Sequence, residues 1–199
     1  MYKRQFYPRE DREALRQKYG IRRPFVVLMV ANWISEKKGY GDIVRLADSL
    51  DGQCQVVLVG QNEFHLPIPE NILYIPYTES VDELARLYSL ADVCVNPSQY
   101  ETFGKVTAEA LCCGTPAVVY NNTASPELIG EGCGYVVEET EGAEGLRQAV
   151  ERVRARGKAF YTERCLAFAR ERFSREKGVR AYTALYESCL LYTSPSPRD

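Results

Sequence analysis

Two glutamates with seven residues between them, Glu101 and Glu109, are the side chains in this sequence best suited to hold a polyhydroxylated ligand. Glu109 is the only carboxylate in the small, apolar stretch 106–113, where an ionised side chain is costly unless hydrogen-bond donors surround it. The hydroxyls of a ribose are donors of this kind. A solvent-facing edge or a buried arginine would satisfy the carboxylate equally well, so the stretch alone leaves these alternatives open.

The start of the same segment is suited to bind an anion. A helix is predicted over 104–113, and the amides that open it belong to Phe103, Gly104, Lys105 and Val106. Such N–H groups carry positive partial charge and lack partners within the helix, which favours phosphate. Gly104 permits close approach of the backbone, and Lys105, Lys37 and Lys38 are nearby candidate cations. A plain helix start and solvated loop lysines remain the alternatives.

Alternating strands and helices predict the scaffold that would bring these loops together. Apolar runs predict six strands, over 25–31, 55–60, 71–75, 92–96, 116–120 and 134–137. Helical patterns cover about 43–50, 81–91, 104–113, 143–156 and 158–188. This alternation predicts right-handed βαβ units and an α/β fold with a mostly parallel sheet of about six strands. Ligands bind at the carboxyl ends of such strands, which here are followed by loops 32–41, 60–64, 76–80, 96–105 and 120–126.

The composition argues against several other classes of protein. The 199 residues include 25 Lys and Arg and 27 Asp and Glu, a dispersed net charge of −2 that does not suggest a nucleic-acid partner. The longest apolar run, 25–31, is far shorter than the roughly 20 residues of a membrane span, and no integral membrane segment is expected. Phosphate-loop, dinucleotide and nucleophile-elbow motifs are absent.

The seven cysteines are predicted to be structural thiols. They form no C-x-x-C pair and lie far from the single histidine, His65, so neither a zinc site nor a disulfide framework is indicated. Unpaired cysteines of this kind are typical of proteins in the reducing cytoplasm.

Together with Pro97-Ser98 before it and Ala-Leu-Cys-Cys-Gly-Thr-Pro at 110–116 after it, the Glu101–Glu109 pair closely resembles the E-x7-E region of group 1 glycosyltransferases (family four). The resemblance covers about 20–188 and includes the Lys-Gly loop at 33–39 and the stretch 82–97. It implies a Rossmann-like three-layer αβα domain, the C-terminal, donor-binding half of a two-domain GT-B enzyme that transfers sugars with retention of configuration.

The resemblance also implies a role for each matching residue. Glu101 would hold hydroxyls of the donor sugar, and Glu109 those of the ribose. The amides of 103–106 would cradle the diphosphate, and Lys38 would neutralise its charge as the leaving group departs.

Further donor-binding positions follow from the same resemblance. Gly60 ends the second strand of the family pattern, and Tyr77 lies where the family lines the base pocket. Asn32 stands where the family often has an arginine six residues before the lysine. Either Lys37 or Lys105 compensates for that cation, or this subgroup uses fewer charges.

The donor implied is a nucleoside diphosphate-sugar such as a UDP- or GDP-sugar, with no metal and no further cofactor. The acceptor would be a glycan or a lipid-linked sugar, and the full-length enzyme would work in the cytoplasm, with peripheral contact at the inner membrane as one option. Because the acceptor-binding N-terminal domain is expected to precede this chain, the chain alone is expected to be inactive.

Three segments are expected: a linker helix leading into the domain at 1–20, the nucleotide-sugar-binding domain at 21–188 and a tail at 189–199. The tail resembles the translated end of a transposon-based sequencing adapter and is expected to be non-native. Two functional alternatives stay open, a stand-alone nucleotide-sugar-binding module that pairs with a separate acceptor domain and a GT-B-like sugar epimerase. A protein that kept the fold but binds no nucleotide is a third.

Overall fold

Residues 5–192 are described by a computed structural model, in which a six-stranded parallel sheet forms the centre. Along the chain the strands are β1 (Phe25–Trp33), β2 (Cys54–Gln61), β3 (Ile72–Ile75), β4 (Val93–Asn96), β5 (Ala117–Tyr120) and β6 (Gly134–Val137). Their order in the sheet is β3-β2-β1-β4-β5-β6, and every neighbouring pair is parallel. The six predicted strands and the α/β class are confirmed.

Helices cover both faces of this sheet. The α-helices of the described residues are α1 (Arg12–Tyr19), α2 (Tyr40–Ser49), α3 (Val81–Leu90), α4 (Lys105–Cys112), α5 (Gly142–Arg156), α6 (Lys158–Arg172) and α7 (Arg175–Tyr192). The connections β1-α2-β2 and β4-α4-β5 run in opposite directions along the sheet, so right-handed crossovers place α2 and α4 on opposite faces. Helix α5 packs against α2, and α6 packs against α4, which gives three layers.

The segment predicted as a single helix over 158–188 is two helices, which is a correction to the sequence interpretation. Between α6 and α7, the ring of Phe173 packs edge to face against Phe168 and Phe103, each with centroids 6.0 Å apart. The Oγ atom of Ser174 then accepts the amide of Lys177 at 3.1 Å and caps α7. The contacts of a half-buried aromatic ring therefore accompany the end of one helix, and a serine caps the next.

The described part of the segment 1–20, which was predicted as a linker helix, contains α1, and α1 packs against α3. Two of the segment's apolar side chains are buried in the core, those of Phe6 and Leu15. Arg9 donates to Asp82 from Nε and Nη2 at 2.9 and 2.7 Å, and Lys18 donates to the buried Glu83 at 2.5 Å. The segment is thus held by the core and by ion pairs to α3.

At the C-terminal end, α7 continues through Tyr192 and so enters the segment 189–199 that the sequence predicts to be non-native. Residues 1–4 and 193–199 lie outside the described residues.

The cysteines are free thiols, and all but Cys189 are buried. They pack as small apolar side chains among the strands and helices, as predicted.

The sheet order creates a crevice at the carboxyl ends of the neighbouring strands β1 and β4. The chain leaves the carboxyl end of β1 toward β2 and the carboxyl end of β4 toward β5, so the two loops diverge and leave a crevice above adjacent strands. This geometry places the predicted loops at one edge of the sheet, where side chains from distant parts of the sequence can meet.

Candidate functional site

A cavity of about 1040 Å³ lies in this crevice, between the loops that follow β1 and β4. It matches the upper end of the roughly 300–1,000 Å³ range of small-molecule sites. Seven predicted site residues line it: Asn32, Lys37, Lys38, Glu101, Lys105, Val106 and Glu109. The structure therefore brings most of the candidate residues to one place, from segments more than 60 positions apart.

A smaller cavity of about 360 Å³ adjoins the first and shares Asn32, Trp33 and Leu84 with it. Its lining includes two further predicted residues, Gly60 near the carboxyl end of β2 and Tyr77 in the loop after β3. The two cavities form a continuous groove along the carboxyl edge, from α4 to the loop after β3.

Phe103 and Gly104 line neither of these two cavities. The ring of Phe103 packs on Phe173, and a Cβ atom at Gly104 would lie 2.6 Å from Cδ1 of Leu128. Gly104 also has a φ of +78°, a conformation that other residues adopt at a cost. Both residues shape the turn into α4, and the neighbouring Lys105 reaches the cavity.

Lys38 and Glu101 form an ion pair in the cavity wall. The Nζ atom of Lys38 donates to Oε1 of Glu101 at 2.8 Å and lies 3.3 Å from Oγ of Ser98. The side chain of Glu101 is only 15% exposed, whereas that of Lys38 is 38% exposed. The lysine therefore holds the carboxylate from the solvent side.

Backbone packing between the two loops sets this pair in place. The amide of Gln99 donates to the carbonyl of Lys37 at 3.0 Å. Gly39, with a φ of +81°, lies so close to Pro97 that an added Cβ atom would be 2.3 Å from the proline carbonyl oxygen. Glycine at position 39 is therefore needed for both the backbone conformation and the contact between the loops.

The loop after β5 supports the site from the other side, and Asn122 and Thr123 in it were not predicted as site residues. The amide of Glu101 donates to Oγ1 of Thr123 at 2.9 Å, and Nδ2 of Asn122 donates to the carbonyl of Ser98 at 3.1 Å. The sequence signal for them was their position in loop 120–126, which is predicted to lie at the carboxyl edge of the sheet.

Glu109 is largely buried and hydrogen-bonded to α3. The hydroxyl of Tyr88 donates to Oε2 of Glu109 at 3.0 Å. Burial raises the pKa of the Glu109 carboxyl to about 7, against the Tyr88 hydrogen bond and the charge of Lys105, which both lower it. The carboxylate is neither at an open edge nor paired with an arginine, and it faces the large cavity.

The start of α4 is open to a ligand. Gly104 occupies the N-cap position, so no side chain caps the helix, and Lys105 and Val106 line the cavity. The wall carries three lysines and four glutamates: Lys37, Lys38, Lys105, Glu36, Glu63, Glu101 and Glu109. Because the charges are mixed, their positions rather than their sum determine where an anion would bind.

Exposed aromatic side chains border the groove and were not proposed as binding residues. Trp33 lines both cavities and is 53% exposed, and Phe64 lines the larger one and is 64% exposed. Aromatic faces of this kind pack well against planar rings and apolar sugar faces. The adjacent His65 is exposed and lines neither cavity. The sequence signal for Trp33 and Phe64 was an aromatic side chain in a loop predicted to lie at the carboxyl edge.

Within residues 5–192, no three or more His, Cys, Asp or Glu side chains are grouped as a metal ion would require. Likewise, no helix in that range combines the length and apolar character needed to cross a bilayer.

Comparisons with known proteins find a matching family, related proteins and similar folds. The profile of the family described as "Glycosyl transferases group 1" matches residues 11–172. The GDP-mannose-dependent alpha-(1-6)-phosphatidylinositol dimannoside mannosyltransferase of Mycobacterium tuberculosis is 25% identical over 186 residues, 90% of this chain and 48% of that protein. This chain thus spans about half the length of that curated relative.

Two solved structures show the same fold. The Anabaena protein Alr3699/HepE, crystallised with UDP and glucose, superposes with a TM-score of 0.80 and 20% identity over 94% of this chain and 55% of that one. The C-terminal domain of the group 1 family protein LpcC from Francisella tularensis gives a TM-score of 0.72 and 18% identity. That match covers 87% of this chain and 98% of the Francisella domain, so the two are of similar extent.

Proposed function

Because the chain belongs to the family of group 1 glycosyl transferases, we propose that it binds the nucleoside diphosphate-sugar donor of a retaining glycosyl transfer. One observation carries this proposal: Lys38, Glu101, Lys105 and Glu109 meet in a single ligand-sized cavity at the start of α4. The set offers cations for a diphosphate and carboxylates for the hydroxyls on either side of it.

The diphosphate is proposed to lie against the first turn of α4. The uncapped amides of this turn and the ammonium groups of Lys38 and Lys105 favour negative charge there. Glu109 is proposed to accept the ribose hydroxyls, and Glu101 those of the transferred sugar. The base would extend toward Gly60 and Tyr77 in the smaller cavity.

A bound diphosphate would compete with Glu101 for Lys38. Each phosphate group presents several anionic oxygens, so the ammonium gains by moving toward the diphosphate, and Oε1 of Glu101 then becomes free for a sugar hydroxyl. The ion pair between Lys38 and Glu101 is therefore proposed to open when the donor binds.

In the reaction, the bond between the anomeric carbon and the diphosphate oxygen breaks, and the electron pair stays on the diphosphate. The acceptor oxygen forms the new bond on the same face of the sugar, and the proton of the acceptor hydroxyl passes to the departing diphosphate oxygen. Lys38 and the amides of α4 would stabilise the developing charge, which is the main catalytic device we propose for this chain. Lys37 or Lys105 would compensate for Asn32, and no metal ion is proposed.

The acceptor, a glycan or a lipid-linked sugar, is proposed to bind mainly to residues outside this chain, because the curated relative is about twice as long. The chain alone is therefore proposed to bind donor with little or no transfer. The donor base is left open between uracil and guanine, since the relative is named for GDP-mannose and the Anabaena protein was crystallised with UDP. A stand-alone donor-binding module and an epimerase remain the alternatives.

Calorimetric titration with UDP, GDP and ADP, with and without EDTA, tests the proposal. At least one nucleotide should bind the wild-type chain equally well in both buffers, and Glu109→Ala should weaken it at least tenfold. Glu163→Ala, at an exposed glutamate of α6, is the matched control and should bind like the wild type. A folded wild-type chain that binds none of the three contradicts the proposal.

A further inference from the structure

We propose that Tyr88 is a positioning residue for the nucleotide site: its hydroxyl holds the Glu109 carboxylate in the orientation that accepts a ribose diol. This inference rests on the proposed function and deepens it. Tyr88 itself does not line the cavity, so it would act through Glu109 rather than on the ligand.

The contact between the two residues is direct. Tyr88 is fully buried in α3, and its hydroxyl donates to Oε2 of Glu109 at 3.0 Å, across the contact between α3 and α4. Within residues 5–192, no group donates to the other carboxylate oxygen, Oε1. The Tyr88 hydroxyl therefore leaves Oε1, together with one lone pair of Oε2, available to donors in the cavity.

Tyr88 is itself held from two sides. The ring of Phe6 packs against it edge to face, with centroids 5.9 Å apart. The hydroxyl of Thr115, in the turn between α4 and β5, donates to the Tyr88 carbonyl at 2.6 Å. A tyrosine fixed in this way can hold a carboxylate in one rotamer, whereas a carboxylate facing a cavity alone samples several.

The other charged and titratable groups around Glu109 do not provide this support. Lys105 is on the same helix and favours the ionised form by charge alone, and the buried Cys94 of β4 lies nearby. The remaining ionisable groups lining the cavity are Glu36, Lys37, Lys38, Glu63 and Glu101. Burial raises the pKa of Tyr88 well above its usual value, so its hydroxyl keeps its proton and stays a donor.

Removing the hydroxyl should therefore do more than cost stability. Without it, the ionised form of Glu109 loses its one hydrogen bond from within the described chain, and its pKa should rise by about one unit. A nucleotide that needs the ionised form should then bind about fivefold more weakly at pH 7, and the midpoint of its pH profile should move upward by about one pH unit.

The test compares Tyr88→Phe with Tyr161→Phe. Tyr161 is the matched control, because it is equally buried and its hydroxyl is 3.1 Å from that of Tyr135, away from the site. The pKa of Glu109 is measured by carbon-13 NMR of its carboxyl group, identified by its loss in Glu109→Gln. Affinity for the best-binding nucleotide among UDP, GDP and ADP is measured from pH 6 to pH 9.

Tyr88→Phe should raise the Glu109 pKa and shift the affinity profile, whereas Tyr161→Phe should lower thermal stability and leave both unchanged. In a Glu109→Gln background, Tyr88→Phe should change affinity less than twofold. Equal behaviour of the two phenylalanine variants overturns the inference while the proposed function stands. Failure of the wild type to bind any of the three nucleotides removes the proposed function and the inference with it.

A measurement on the wild type covers the case in which Tyr88→Phe does not fold. The ring carbon that bears the Tyr88 hydroxyl should change its chemical shift with the same midpoint as the Glu109 carboxyl. A Tyr88 signal that does not follow this titration overturns the inference.

Discussion

The ammonium of Lys38 lies 2.8 Å from Oε1 of Glu101, although 63 positions separate the two residues in the chain. Lys38 follows β1 and Glu101 follows β4, and these strands are neighbours in the sheet. The pair joins the two loops that bound the large cavity. A ligand that attracts Lys38 would therefore also change which hydrogen bonds Glu101 can accept.

We expect Glu101→Gln to have opposite effects on the two parts of the donor. Removing the charge frees Lys38 for the diphosphate, so the preferred nucleoside diphosphate should bind about three- to tenfold more tightly. The added affinity of the corresponding nucleotide-sugar should shrink, because a carboxylate acceptor for the sugar hydroxyls has been lost. Calorimetry with the nucleotide and its sugar conjugate measures both effects.

Glu63→Gln is the control for this prediction. Glu63 also lines the cavity but belongs to the loop after β2, and no hydrogen bond or ion pair links it to Lys38. A general change in cavity charge would affect both variants alike, and that outcome would contradict a specific role for the Lys38–Glu101 pair.

The stability of the folded chain should depend on pH through Glu109. Its pKa is about 7 in the folded state, against an ordinary value of 4.5, so folding favours the protonated form. Well below pH 4.5 the Glu109 carboxyl is protonated in both the folded and the unfolded state, so it does not lower the free energy of unfolding. Between pH 4.5 and 7 the unfolded chain releases the proton first, so stability falls as pH rises, by about 3 kcal/mol in total.

Urea unfolding at several pH values measures this dependence. Glu109→Gln should remove the decrease assigned to this group, while the exposed control Glu163→Gln should keep the wild-type slope. Identical slopes in Glu109→Gln and the wild type would mean that Glu109 is not protonated more readily in the folded state.

Gly39→Ala should destabilise the chain and weaken nucleotide binding together. A Cβ atom at this position clashes with the backbone of Pro97, in addition to the cost of a positive φ, so we expect a loss of at least about 3 kcal/mol. Gly20→Ala is the matched control. Gly20 also has a positive φ, of +65°, but open space around its Cβ position, so it should lose only about 1 kcal/mol.

Thermal unfolding and nucleotide titration of both glycine variants separate the two contributions. Equal losses of stability would show that the close approach of the Lys37–Gly39 loop to Pro97 contributes nothing beyond backbone conformation.

Thiol titration should find one reactive cysteine in the native chain. Cys189 is exposed, whereas the other cysteines are buried, and burial raises the pKa of the Cys54 thiol to about 11 and that of Cys113 to about 12. A disulfide reagent at pH 8 should modify Cys189 quickly and all seven thiols only after unfolding. Cys189→Ser should abolish the rapid phase, and rapid reaction at a second site would contradict the buried positions.

The local character of each segment could be predicted from the sequence. Continuous apolar runs become buried parallel strands because both faces of such strands are covered, and all six were predicted. The segment at 158–188 was predicted as one helix because its helical pattern continues past Phe173. The break between α6 and α7 coincides with a contact between Phe173 and the distant Phe103. Periodicity along the chain cannot predict such a contact.

In the candidate site too, local features could be predicted from the sequence, whereas long-range partners could not. The sequence by itself determined that Glu109 is a lone carboxylate on an apolar helix and that Lys38 follows a buried strand. The tertiary structure decided that Tyr88 is the partner of Glu109 and that Lys38 reaches Glu101. It also directed the Phe103 ring toward Phe173. The reason is physical: hydrophobic patterning acts over a few neighbouring residues, whereas side-chain partners depend on which strands and helices become neighbours in the sheet and its two helical layers.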